Sequence, residues 1–325
     1  MADSSERQAD KKVVLARTLL PAGRVLLEDR FEVIEGGLDC RPDELLGLVP
    51  GAAAIVADPT VPVGGELLDA AGSSLEVVAN FAVGYDNVDL GACRERGIPV
   101  TNTPDVLTNA TAELAVGLTF TAARQIPAAE RRLRDGAWTG WDPGEFRGVE
   151  LTGAIIGVLG MGRIGTRYAE LMAGLGGELI YWSRQRRPAA ERDLGATYAE
   201  LHELLGRADV VSIHLAATPE TANLIDEEAI GQMKPNAILV NTSRGSLVDG
   251  QAVARALTEG RLGAVGLDVF ENEPEVPAEL LEAPRAVLTP HIGSATYSSR
   301  DGMARLAAEN VIAVLEGRPP VTPVA

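Results

Sequence analysis

The 325 residues are enough for two domains with separate cores. A net charge of −17 argues against nucleic acid or an anionic membrane surface as partner, and any anionic substrate must be captured by locally concentrated arginines. No apolar run is long enough to span a bilayer, and no signal-peptide core follows the polar start MADSSERQADKK. The two cysteines, Cys40 and Cys93, suit neither a disulfide framework nor a metal site, so a cytoplasmic protein without a structural metal is expected.

Residues 1 to about 10 read as a disordered tail. Short strands are predicted at Val13–Ala16, Phe31–Ile34, Ala53–Ala57, Leu75–Ala79 and Ile98–Asn102, with helical segments around Arg24–Glu28, Pro42–Leu48, Glu66–Ala71 and Asp89–Arg96 between them. This alternation predicts a parallel α/β domain over residues 1–103. Within it, NFAVGYDNVD (Asn80–Asp89) follows a strand's C-terminal end. Its composition fits an ordinary turn equally well as an anion-binding nest built on the Val83 and Gly84 N–H groups.

Pro104 marks a boundary. A long helix is predicted from Asn109, as N-cap, to Gln125, and a second over Pro127–Asp135. In the loop GAWTGWDPGEFRG that follows, Trp138 and Trp141 would expose much apolar area on a monomer, so burial at a subunit interface is expected.

The stretch Ala154–Gly165, AIIGVLGMGRIG, combines a buried parallel strand, the turn Gly160-x-Gly162-x-x-Gly165 and an amphipathic helix. Gly160 suits the tight turn, Gly162 the approach of a pyrophosphate, and Gly165 close helix–strand packing. The helix N-terminus then faces the phosphates. Further strands are predicted at Glu178–Trp182, Val210–Leu215, Ala237–Asn241, Val265–Val269 and Ala286–Leu288. They make 104–290 a dinucleotide-binding domain, while 291–325 returns to complete the first. The fold class is therefore α/β, with two Rossmann-like, doubly wound parallel-sheet domains and the active-site cleft between them.

In this motif an acidic residue at the tip of the second strand ordinarily binds the ribose hydroxyls. Here the tip reads Ser183-Arg184-Gln185-Arg186-Arg187. Arginines and a serine hydroxyl suit a 2′-phosphate, so NADP(H) is expected in preference to NAD(H), which stays possible.

Among three histidines, His202 reads as solvated helix surface and His214 as structural or beside the cofactor. His291, in the strand-end loop TPHIGS, is the best general acid/base candidate. Arg244 in VNTSRG and Glu273 in GLDVFENEP also lie at strand ends. Taken singly, Arg244 could equally cap a helix or pair with a carboxylate, and Glu273 could be one more surface acid.

Taken together, GMGRIG, VNTSRG, GLDVFENEP and TPHIGSAT, with NFAVGYDNVD and TNATAELAVGLTF, resemble the D-2-hydroxyacid dehydrogenase family over nearly the whole chain. The serine–arginine tip, the two-tryptophan loop and PHIGSAT are most similar to its glyoxylate/hydroxypyruvate reductase branch. That resemblance implies NADPH-preferring reduction of a small 2-oxoacid, glyoxylate or hydroxypyruvate. His291 would be the proton donor, Glu273 its carboxylate partner and Arg244 the clamp on the substrate carboxylate, with the Val83 and Gly84 N–H groups completing the substrate site. Cofactor contacts are implied for Thr108, Gly160, Gly162, Arg163, Ile164, Gly165, Ser183, Arg184, Arg187, Leu215, Ala216, Thr242, Asp268 and Gly293. A homodimer through the nucleotide-binding domain is implied too, with Trp138 or Trp141 near the neighbouring subunit's pocket. The alternatives are another dehydrogenase of the family, acting on 3-phosphoglycerate or D-lactate, or a dinucleotide-sensing corepressor without activity.

Overall fold

In the computed structural model, which describes residues 11–324, the chain divides into two compact units: Met1–Leu107 with Ser294–Ala325, and Thr108–Gly293. The tail expected over residues 1–10 lies outside the described residues. Both units are parallel-sheet α/β folds, as the strand–helix alternation predicts.

In the first unit β1 (Lys12–Leu15), β2 (Glu32–Glu35), β3 (Ala52–Ala57), β4 (Val77–Asn80) and β5 (Val100–Thr101) form one sheet in the order β2-β1-β3-β4-β5, every pairing parallel. A parallel sheet is covered on both faces, so its central strands need unbroken apolar runs rather than alternation. In β3, AAAIVA, every residue is buried. The Tyr297–Leu315 helix packs against the Pro21–Glu28 helix in this unit. A methyl on Gly23 would lie 2.1 Å from the Ala304 carbonyl oxygen, so only glycine allows that approach.

The second unit holds β6 (Ile155–Leu159), β7 (Glu178–Trp182), β8 (Thr197–Tyr198), β9 (Val210–Ile213), β10 (Ile238–Asn241), β11 (Ala264–Leu267) and β12 (Ala286–Leu288). Their order is β12-β11-β10-β9-β6-β7-β8, all parallel. Strand order reverses beside β6, which places the glycine turn at the switch point where open α/β sheets bind ligands. The edge strand β8 was not expected. Two residues are too few to display a period.

Two boundaries differ from the sequence reading. The units change over at Leu107 and Gly293, not at Pro104 and His291. His291–Gly293 stays with the second unit because Asp268 on that unit holds three successive N–H groups of the segment. The long helix spans Thr108–Ala123. Asn109 therefore lies inside its first turn rather than capping it, and its Oδ1 accepts from Arg167 Nε at 3.0 Å. Among the described residues no helix is long and apolar enough to cross a membrane, and no cluster of His, Cys, Asp and Glu could hold a metal ion.

Candidate active site

The glycine turn follows β6, and its three glycines have separate reasons to be there. Gly160 has φ +98°, which disfavours a side chain, and a methyl there would also meet the His214 carbonyl oxygen at 2.6 Å. On Gly165 a methyl would fall 1.9 Å from the Gly160 oxygen. On Gly162 it would meet no protein atom within 4 Å, so the space over that residue is open to a ligand. The Arg163–Gly174 helix begins there, and first-turn N–H groups have no intrahelical acceptor. An open glycine below outward-facing donors fits a pyrophosphate.

At the tip of β7, Arg186 is bound to Glu191 at 2.9 Å and lies over the Tyr198 ring. The Tyr181 hydroxyl donates to Glu191 and accepts the Arg187 N–H, both at 2.7 Å. With Arg186 engaged in the fold, Arg184 and Arg187 present exposed guanidinium groups. Ser183, expected to hold the cofactor, is buried, and its hydroxyl donates to the Gln185 carbonyl. Arg184 and Arg187 are thus the exposed charges of this tip, beside an Arg186 tied to Glu191.

Beneath the turn lies a polar network that sequence reading did not find. The Thr119 hydroxyl donates to the Ala115 carbonyl at 2.7 Å and lies 3.0 Å from the Tyr168 hydroxyl, which also bonds Ser212. Ser212 Oγ lies 2.9 Å from His214 Nε2, and the Tyr168 and His214 rings are 4.9 Å apart. Burial pushes Tyr168 up to about 12 and His214 down to about 3, so both are neutral at physiological pH. His214 is thus structural in this network rather than an acid or base. After it, Leu215 packs over Gly160, and the exposed Ala216 offers its carbonyl to Thr221.

The end of β10 is shaped by Asn241, fully buried. Its Oδ1 accepts the Ser243 N–H at 2.9 Å and its Nδ2 donates to the Arg244 carbonyl at 2.8 Å. Ser243 Oγ donates to the Ile213 carbonyl at 2.9 Å, tying the turn to β9. These bonds fix the backbone that carries Arg244. Gly245 lets the turn press on the next one, since a methyl there would lie 1.9 Å from the Phe270 carbonyl carbon. Thr242 Oγ1 is buried with no hydrogen-bond partner among the described residues, as a group awaiting a ligand would be.

Arg244, Glu273 and His291 are brought together. His291 Nδ1 lies 2.7 Å from Glu273 Oε2, and Glu273 Oε1 accepts the Phe270 N–H at 3.0 Å. Burial would raise the Glu273 carboxyl. Its bonds to His291 and Phe270 and the nearby His291 and Arg244 charges outweigh this and hold it below its ordinary value of 4.5. His291 itself has φ +52°, uncommon outside glycine. Its N–H donates to the Asp268 carbonyl at 2.8 Å.

Asp268 is fully buried. Its Oδ1 accepts the Thr289 hydroxyl at 2.6 Å and the Ile292 N–H at 2.8 Å, and its Oδ2 accepts the Gly293 N–H at 2.7 Å. Burial raises this carboxyl, and the three donors partly offset that. Asp268 and Gly293 were both expected on the cofactor. In the structure they bond to each other, and Asp268 holds the loop that presents His291. Thr108 opens the Thr108–Ala123 helix.

In the first unit the Asn80–Asp89 loop has its carbonyls tied back. Asn80 Nδ2 donates to the Gly84 carbonyl at 2.7 Å, Asn102 Nδ2 to the Val83 carbonyl at 2.8 Å, and the Thr103 N–H to the Ala82 carbonyl at 2.8 Å. Among the described residues the Val83 and Gly84 N–H groups donate to no backbone carbonyl. With the neighbouring carbonyls engaged, these two N–H groups stay available to an acceptor, as the expected anion nest requires. Asn80 and Asn102 were missed in the sequence, although an asparagine at a strand's end is a turn-making signal.

Residues 116–293 match the D-isomer specific 2-hydroxyacid dehydrogenase, NAD binding domain. A glyoxylate reductase of Thermococcus litoralis is 44% identical over 95% of this chain and 95% of its own. One of Pyrococcus furiosus is 43% identical over 96% of this chain and 94% of its own. Among solved structures, an NADPH-dependent glyoxylate/hydroxypyruvate reductase of Sinorhizobium meliloti, in complex with NADP and malonate, superposes with a TM-score of 0.87. It is 35% identical, and 97% of each chain is covered. With these likenesses beside a glycine turn at the switch point and a joined Arg244, Glu273 and His291, the chain belongs to the D-isomer specific 2-hydroxyacid dehydrogenase family of NAD(P)-dependent oxidoreductases.

Proposed function

We propose that this enzyme reduces glyoxylate or hydroxypyruvate to the D-2-hydroxyacid with NADPH. The observation that carries the reading is the 2.7 Å contact between His291 Nδ1 and Glu273 Oε2, with the Arg244 charge nearby. NADPH, when bound, supplies the hydride that goes to C2 of the oxoacid. His291 supplies the proton for the resulting alkoxide. Because Nδ1 faces the carboxylate, which fixes the ring, Nε2 is the atom left to deliver it. Arg244 offers a fork of donors to the carboxylate and carbonyl oxygens, polarising the latter. Val83 and Gly84 are assigned to the substrate carboxylate through their N–H groups.

The cofactor would lie on the glycine turn, with the Arg163 and Ile164 backbone at the pyrophosphate and the adenine and nicotinamide pockets lined by Thr108, Leu215, Ala216 and Thr242. Exposed Arg184 and Arg187, with no acid at the β7 tip, support the choice of NADPH. The relatives named glyoxylate reductase support the choice of substrate. Trp138 and Trp141 are 57% and 84% exposed on the single chain, which supports a homodimer in which this loop meets the neighbouring subunit. Two free thiols, Cys40 and Cys93, are in keeping with the cytoplasm.

Initial rates over a panel of 2-oxoacids, each with NADH and with NADPH, test the reading. The highest kcat/KM should fall on glyoxylate or hydroxypyruvate with NADPH. A best rate on another oxoacid assigns a different dehydrogenase of the family. NADPH binding with no oxidation by any oxoacid assigns the corepressor role.

A further inference from the structure

The last described residues of the chain reach the substrate nest through one side chain. β5 is a two-residue strand at the sheet edge, and an edge that short holds its neighbours weakly. Residues beyond the Tyr297–Leu315 helix supply its missing partner. Thr101 and Pro323 form an antiparallel bridge, and the Val324 N–H donates to the Val100 carbonyl at 2.8 Å.

Thr322 grips Asn102 from both sides. Its hydroxyl donates to the Asn102 carbonyl at 2.6 Å, and its carbonyl accepts the Asn102 N–H at 3.3 Å. The hydroxyl's orientation is itself determined. Asn310, fully buried, donates from Nδ2 to Thr322 Oγ1 at 2.8 Å, so the hydroxyl hydrogen is directed at Asn102. Asn310 Oδ1 accepts the Thr322 N–H at 2.9 Å, completing a two-way clamp. Asn102, held this way, donates its side chain to the Val83 carbonyl at 2.8 Å. The Val83 carbonyl and the Gly84 N–H belong to one planar peptide unit and turn together, so whatever pins the Val83 carbonyl also aims the Gly84 N–H.

We infer that Thr322 is a positioning residue for oxoacid binding, acting through Asn102 on the Val83–Gly84 nest. This rests on the reading that the nest holds the substrate carboxylate. Deleting the Thr322 hydroxyl loosens Asn102, lets the Val83–Gly84 peptide rotate, and weakens capture of the carboxylate without touching the cofactor site or the proton donor.

The test is steady-state kinetics of the full chain with NADPH and glyoxylate, or whichever oxoacid the panel ranks first. Thr322→Val keeps the shape and removes the hydroxyl. KM for the oxoacid should rise about threefold to tenfold, the range of one lost hydrogen bond. The value of kcat should change less than about twofold, and NADPH affinity, read by nicotinamide fluorescence, should not move. Thr322→Ser should restore KM. Thr322→Ala repeats the deletion where valine is not accommodated. A folded Thr322→Val or Thr322→Ala with unchanged KM overturns the inference, and so does a Thr322→Ser variant as weak as Thr322→Val. Val83→Pro removes a nest donor directly and probes the underlying reading. If KM ignores it, the nest is not the carboxylate site and the inference goes with it. If KM rises there but not in Thr322→Val, the nest stands and only the role of Thr322 falls.

Discussion

Asp268→Asn separates two roles for the residue at the end of β11. The carboxylate accepts three hydrogen bonds inside the fold, from the Thr289 hydroxyl and the Ile292 and Gly293 N–H groups. An amide has one oxygen. In its best orientation that oxygen keeps Thr289 and Ile292, while its NH2 faces the Gly293 N–H, donor against donor. One bond to a charged acceptor is lost, about 1.5–3 kcal/mol, and a buried N–H is left without a partner, about 1–3 kcal/mol more. The relief of no longer burying a charge, whose carboxyl burial already raises, offsets part of this. A net loss of about 2–4 kcal/mol follows, or roughly 5–15 °C in Tm for a unit of this size. The loop that relaxes carries His291 in a positive-φ conformation, and an ångström of misplacement at a reacting group costs about 10²-fold in kcat. Calorimetry, single-turnover rates and NADPH titration, made on one preparation, read the three quantities. If Asp268 anchors the loop, Tm and kcat fall together and NADPH affinity stays within about twofold. If NADPH affinity drops as much as kcat while Tm holds, the residue faces the cofactor and the anchoring argument is refuted.

His291→Ala should lower kcat by about 10²–10⁴ and leave NADPH binding nearly intact, and near-wild-type turnover would end its assignment as proton donor. Arg244→Ala should raise KM as well as lower kcat, because a clamp on the substrate carboxylate acts in the ground state and the transition state alike; an unchanged KM would remove it from the substrate site. Arg184→Asp should weaken NADPH relative to NADH by at least about tenfold in Kd, and equal affinities before and after would disprove the phosphate assignment. Stability should depend on pH through His214. The folded protein keeps it neutral down to about pH 3, while the unfolded chain protonates it near 6.5. Between those values the unfolded state binds the extra proton, so stability is full above 6.5 and declines as pH falls through the window, by up to about 1.4 kcal/mol per pH unit. Denaturant melts of wild type and His214→Gln over pH 4–7 should differ in slope by that one proton; parallel curves would mean the ring is solvated.

Much of this enzyme can be read along the chain. Parallel strands buried on both faces appear as continuous apolar runs, so β3, β9 and β10 stand out. The glycine turn has its spacing because three local demands, a left-handed φ, an open surface and a close helix–strand approach, fall within six consecutive residues. Arg244, Glu273 and His291 are conspicuous as charged or titratable residues just past strand ends, where side chains leave the sheet for solvent. Their meeting is another matter. Residues 18 apart in sequence come within 2.7 Å only because β11 and β12 are neighbours in one sheet. The same dependence governs Asp268, Ser183 and Gly293, which have the types and positions of cofactor ligands and in the fold also make hydrogen bonds of their own, Ser183 to the Gln185 carbonyl and Asp268 to the Gly293 N–H. Asn80, Asn102, Asn241 and Thr322 went unnoticed for the complementary reason. A buried amide or hydroxyl has a meaning set by its partners, and for Thr322 the partner lies 220 residues away. The amino-acid order determined the elements and the chemistry available at their ends. Tertiary structure decided which of those groups are held in the fold and which are left to face a ligand.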